Sequence, residues 1–218
     1  MTGLLTKDYR LFMNQKRFFI SLLLVAVFLM FMQNDASFIM GYITIICSTF
    51  VMSTISYDDY DNGNSFLFTL PITRREYAVE KYVFGLLLVL SAWILSFIVG
   101  TIYNYTVLPD FDFFEHCFES SVMIYLALLV VSVMIPVCLK FGSEKARLAI
   151  AGIFAGVFAV AIVVIRFMSD LGIKVGDILP DISDISPWMA SVLIAVITLF
   201  VYFVSMAISI RVMEKKEF

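Results

Sequence analysis

The chain has 218 residues, of which 61% are hydrophobic and only 15% charged, and its net charge is -3. A soluble domain is near half apolar and about 25% charged, so this composition excludes an ordinary soluble domain and places the chain in a membrane. No stretch is long and polar enough for a separate soluble domain, and no nucleic-acid partner is expected. Cys47, Cys117 and Cys138 are scattered, which reads as buried apolar thiols rather than a disulfide. With one histidine, His116, and no Ser/His/Asp set, the chain offers no metal cluster and no catalytic centre. It also lacks a G-x-x-x-x-G-K-[ST] run, so it cannot cradle a nucleotide in that manner.

The first seventeen residues place Leu5, Tyr9, Phe12 and Met13 on one helical face, with Lys7, Arg10 and Asn14 elsewhere. This spacing predicts a basic amphipathic helix lying on a membrane surface. The oily run after it ends at Gln33-Asn34-Asp35 without a small-residue cleavage pattern, so it is expected to be retained as a span rather than removed as a signal peptide. Six spans are predicted, at 18–34, 36–56, 82–104, 121–140, 147–168 and 188–211. Each is near the ~20 residues that a helix needs to cross a ~30 Å hydrocarbon core. No alternating strand pattern appears, so the fold class is an all-α membrane protein in one domain, 1–218.

The basic residues are segregated. Of 15 Lys and Arg, only Arg166 and Lys174 fall outside the two termini and the loops after spans two and four. The positive-inside rule therefore puts both termini and the 57–81 connection in the cytoplasm of a multi-pass cell-membrane protein.

That connection is more than a plain loop. Asp58, Asp59 and Asp61 open it, and Asn62-Gly63-Asn64 reads as a turn. Ser65–Leu70 is mostly apolar but too short to span anything. Pro71 breaks or restarts a helix. Thr73 and Glu76 match a capping box, so a new helix is expected to start near Arg74 and run through Tyr77, Glu80 and Lys81 into span three. The result is a rigid kinked elbow with its charges pointing out of the membrane. Such an element transmits force, whereas a floppy loop does not. The basic pair Arg74 and Arg75 could instead serve as topology signals alone.

The outer loops are acidic, with Asp110, Asp112, Glu115 and Glu119 in one and Asp170, Asp177, Asp181 and Asp184 in the other. A solvated rim, short interfacial helices or a substrate gate would each fit. His116 reads as an exposed bystander in the first loop, and Asn104 as the start of an uninformative Asn-x-Thr sequon. Arg166 is expected to snorkel, or to face the exit of a path. Gly152 and Gly156 form a G-x-x-x-G that fits either a homodimer seam or a close contact within the chain. Gly41 is placed with them as a dimer or path-lining candidate. The span interiors hold almost no ionisable groups, which argues against ion-coupled transport and for an external energy source.

The run LPITRREYAVEKY, Leu70 to Tyr82 after an Asp/Asn/Gly-rich turn, resembles the cytoplasmic element of ABC-2 type transporter permeases. The resemblance covers most of the chain. Its wording and size are similar to small permeases of Gram-positive bacteria, including the Pmt-type exporters of phenol-soluble modulins. It implies two permease copies, plausibly a homodimer, working with two copies of an ABC ATPase that carries ATP and Mg on separate chains. It further implies coupling contacts at Pro71, Thr73, Arg74, Arg75, Glu76 and Lys81, and a path lined by spans two and five. The expected function is export of amphipathic peptides of toxin or antimicrobial type, with hydrophobic small molecules or lipids as alternative cargo. A membrane sensor or scaffold is the reading from another class.

Overall fold

The computed structural model describes residues 2–32, 36–60, 63–107, 111–170 and 186–216. Among them the elements in chain order are α1 (Thr2–Asn14), α2 (Lys16–Met32), α3 (Ser37–Ser48), α4 (Phe50–Asp59), α5 (Gly63–Leu67), α6 (Arg74–Val107), α7 (Phe113–Phe141), α8 (Ser143–Asp170) and α9 (Pro187–Lys215). No strand occurs among the described residues.

Five segments are long and apolar enough to cross a membrane by themselves: Ser37–Asp59, Arg74–Val107, Phe113–Phe141, Glu144–Phe167 and Trp188–Lys215. A sixth exists only if α1 and α2, bent by 58° at their junction, count as one broken span. The expected second span is itself broken at Thr49. There the Ser48 hydroxyl donates to the Ile45 carbonyl at 2.6 Å, and the Thr49 hydroxyl to the Ile46 carbonyl at 2.7 Å. Hydroxyls that bond back to the preceding turn compete with the helical ladder and bend it. The 34 residues of α6 extend about 50 Å at 1.5 Å per residue. That exceeds a ~30 Å hydrocarbon core, so several turns stand beyond it.

The centre of the bundle is α3, α4, α6, α7 and α9. Small residues bring these helices close. A Cβ on Gly85 would sit 3.1 Å from Val131 and 3.3 Å from Val51, and one on Gly100 would sit 2.8 Å from the Met40 sulfur. Gly41 belongs to the same pattern. It is buried, and a Cβ there would come within 2.6 Å of the Met123 sulfur. Its side of the helix meets α7 inside the chain. Hydroxyls add polar ties. Tyr82 Oη shares hydrogen bonds with Ser205 at 2.7 Å and Ser209 at 2.8 Å, and Tyr202 Oη donates to the Tyr82 carbonyl at 2.6 Å. Each such interhelical bond is worth roughly 0.6 kcal/mol in a bilayer.

By contrast, α2 and α8 sit at the periphery with most of their large side chains uncovered, among them Leu23, Leu24 and Phe28 on α2 and Val157, Phe158 and Val163 on α8. Nothing lies within 4 Å of a Cβ built on Gly152 or Gly156. The G-x-x-x-G therefore makes no close contact with the other described residues. Arg166 is exposed on the same helix.

At the end of the bundle far from the termini, Glu115 and Glu119, read as part of an acidic loop, lie in the first turns of α7, while Asp110 lies outside the described residues. Asp112 caps that helix by accepting from the Phe114 amide at 2.8 Å. His116 is buried, not an exposed bystander. It stacks on Phe97 at 5.5 Å and meets Asn104 at 3.4 Å. Asn104 in turn accepts from the Ala36 amide at 2.9 Å, and Ser37 Oγ donates to Glu119 at 2.6 Å. This knot fastens the start of α3 to α6 and α7. The acidic stretch 171–185 lies outside the described residues.

Gly85→Val is expected to cost about 1–3 kcal/mol through overpacking. Gly152→Ala should leave the folded chain unchanged. Thermal unfolding of the two purified variants in detergent distinguishes them.

Candidate functional site

Both the elbow and the most concentrated charge in the chain lie at the end of the bundle that carries the termini. The elbow is built locally. The Asn64 side chain donates to Asp59 at 3.0 Å, which fastens α5 to the end of α4, so Gly63 and Asn64 are helical rather than a free turn. Tight turns follow through Thr69, Leu70 and Ile72, with Pro71 exposed. Thr73 and Glu76 then close a reciprocal cap. The Thr73 amide donates to Glu76 Oε2 at 3.0 Å, and the Glu76 amide donates to Thr73 Oγ1 at 3.1 Å. Two orphan donors at the start of α6 are satisfied, and the helix begins at Arg74. Asp61 and Asn62 lie outside the described residues.

The adjacent arginines have different surroundings. The Arg74 guanidinium donates to the carbonyls of Met213 at 3.5 Å, Glu214 at 3.3 Å and Lys216, all at the end of α9. A cation on the last carbonyls of a helix also meets the negative end of its dipole, a contribution of about 0.3–1 kcal/mol. Arg74 thus fastens the elbow to the last span. Arg75 is exposed, as are Pro71 and Thr73. The elbow also exposes apolar groups, Phe66 at 71% and Leu70 at 44%.

Below the elbow, Lys81 is fully enclosed. Its ammonium lies 2.5 Å from Asp8 on α1, 2.8 Å from Asp58 on α4 and 3.7 Å from Glu80 on its own helix. Lys7 joins from α1, in contact with Asp58 and 3.3 Å from Asp8. Tyr77 Oη donates to Asp58 at 3.1 Å, and Lys81 donates to Thr54 at 3.4 Å. The cluster latches three elements together: the amphipathic start, the end of the broken span and the root of the elbow helix.

This geometry corrects one expectation. The charges of the elbow helix do not all point outward, since Glu80 and Lys81 are both 0% exposed. Lys81 can hold the elbow in place, but it offers no surface to a partner. The face of α1 that enters the bundle is led by Leu4 and Asp8, while Tyr9 and Met13 of the predicted apolar face remain exposed. Asp8 turns inward because Lys81 is there to receive it. Sequence reasoning missed Asp8, Asp58 and Glu80 as a unit. The available signal was that Tyr77, Lys81, Gly85, Leu88, Ala92, Ser96 and Gly100 fall on one helical stripe, and every one of them is buried.

Removing one partner from a buried ion cluster strands the others, at about 3–5 kcal/mol. Lys81→Met is therefore expected to destabilise the chain by that amount. Adding Asp8→Leu should restore part of the loss. A double-mutant cycle of thermal unfolding in detergent checks both.

The chain matches the family model described as "ABC-2 family transporter protein" over residues 3–214. No curated protein matches it, and no solved structure does. The family match spans the termini, the elbow, the latch and every long helix, and on that footing the chain belongs to the ABC-2 transporter family, as a multi-pass membrane protein built from apolar helices.

Proposed function

We propose that this chain is the permease subunit of an ABC exporter and that its elbow receives the stroke of a separate ATPase. The observation that carries this reading is the capped, rigid junction at Thr73–Glu76, which continues without a break into α6. A displacement applied at the elbow moves that helix as a unit, and through Arg74 and Lys81 it reaches α9, α4 and α1 as well. Exposed Arg75, Phe66 and Leu70 supply the residue types that dominate protein interfaces, an arginine and apolar anchors. Pro71, Thr73 and Glu76 shape the surface, and Arg74 and Lys81 hold it from behind. The basic excess at the termini end supports a cytoplasmic position for both termini and the elbow in a bacterial cell membrane. ATP and Mg belong on the partner.

Two permease copies with two ATPases complete the assembly. The uncovered apolar length of α8, with Gly152 and Gly156 open for close approach, supports a second copy seated along that helix. The cargo best suited to span interiors with almost no charge is an amphipathic peptide. Hydrophobic small molecules remain the second class.

Arg75→Glu tests the coupling surface without touching the contacts of Arg74. Tagged wild-type chain, solubilised from native membranes, should retain an ATPase subunit. The Arg75→Glu chain should lose at least about tenfold of it, a difference of roughly 1.4 kcal/mol, while its thermal unfolding stays unchanged. Equal retention by both chains would reject the elbow as the coupling surface.

A further inference from the structure

The charges inside the latch do not balance. Lys81, fully enclosed, faces Asp8, Asp58 and Glu80, and the second cation, Lys7, keeps 34% of its side chain exposed. Among the described residues, two cations thus meet three acids. The acids are also unequally supplied. Asp58 accepts from Lys7 on one oxygen and from Lys81 and Tyr77 on the other. Asp8 receives Lys81 at 2.5 Å and has Lys7 at 3.3 Å. Glu80 is 0% exposed, and neither of its carboxyl oxygens has a hydrogen-bond partner among the described residues. Its nearest cation is the Lys81 ammonium at 3.7 Å, which already serves two closer carboxylates. An enclosed carboxylate without its own counter-charge or donors is costly, and such a group takes up a proton instead.

We propose that Glu80 is a proton-binding site: its carboxyl is held as the neutral acid while α1 is seated against α4 and α6, and it gives that proton to solvent when α1 lifts away. On release the carboxyl O–H bond breaks, the proton passes to water, and the carboxylate left behind is hydrated. The charged and titratable groups that face Glu80 are Lys7 and Asp8 from α1, Asp58 from α4, and Tyr77 and Lys81 from its own helix. With one proton bound, two cations face two carboxylates and the latch is neutral.

The direction of the pH effect follows from proton counting. The seated state binds one more proton than the lifted state, so falling pH favours seating and rising pH loosens it. One proton changes the seating equilibrium by at most about tenfold per pH unit. At strongly acidic pH Asp58 also protonates, and its ion pairs with Lys7 and Lys81 are lost. Seating is therefore strongest in the mildly acidic range. This inference concerns the latch alone and does not depend on the transport reading.

The test uses the full-length chain in lipid nanodiscs with carboxyl-labelled glutamate. Infrared spectra of wild type near neutral pH should contain the carbonyl stretch of a protonated glutamic acid, and the band should fade as pH rises. Glu80→Gln, which mimics the neutral acid, should lack it. Hydrogen exchange of the α1 amides, corrected for its intrinsic pH dependence, should accelerate in wild type from about pH 5 to about pH 7, by up to about tenfold per unit, and level off above that. It should stay flat in Glu80→Gln. A wild-type spectrum without a protonated-glutamate band near neutral pH overturns the proposal, and that reading needs no variant to fold. A band that persists in Glu80→Gln, or an identical pH response of α1 in both chains, also overturns it.

Discussion

A lysine enclosed at the root of a membrane helix sets the terms for the rest of this molecule. An ammonium cannot stay buried unless carboxylates come to it, and the carboxylates that reach Lys81 are on two other elements, Asp8 on α1 and Asp58 on α4. The need to neutralise one charge therefore fixes the orientation of the first helix and the position where the broken second span ends. It also fixes the path of α6, since Lys81 lies two turns beyond the Thr73–Glu76 cap. The elbow is stiff for two independent reasons: its helix is capped locally and clamped from inside.

Away from the latch, the bundle is held by shape and hydroxyls. Lipid gives helices no hydrophobic reason to associate, so close approach and hydrogen bonds between helices must do it. Gly41, Gly85 and Gly100 provide the approach, and Tyr82, Tyr202, Ser205 and Ser209 provide the bonds. The helices without such devices, α2 and α8, are the ones left outside. The same rule thus separates a closely packed core from flanks whose apolar side chains are uncovered. A transporter subunit needs both: a rigid body to carry a stroke, and a surface along which it can be assembled.

The elbow also shows how closely spaced residues of one type divide their labour. Arg74 and Arg75 are adjacent and chemically identical. One is turned to the last carbonyls of α9 and the other to solvent, because successive residues on a helix project about 100° apart. Arg75 is the more exposed of the two, and the part-buried contacts of Arg74 tie that surface to the final span.

The sequence by itself determined the membrane setting, the helical class, the long spans and the start of α6. Those are local properties: apolar length, charge segregation, and a Thr–Glu pair whose reciprocal cap closes within one turn. It also determined the family, through the wording of Leu70 to Tyr82. What it could not convey was which polar residues would turn inward. Asp8 drew no reading, Asp58 read as the opening of a loop, Glu80 and Lys81 as outward charges of the elbow helix, His116 as a loop residue and Asn104 as an uninformative sequon, because the partners of each lie on helices remote in the chain. Gly41 and Gly156 look alike as small residues in apolar runs, yet a Cβ on one would meet Met123 and a Cβ on the other would meet nothing within 4 Å among the described residues. Only the tertiary structure decided these cases, since burial of a charge or close approach of a glycine is a property of two helices at once.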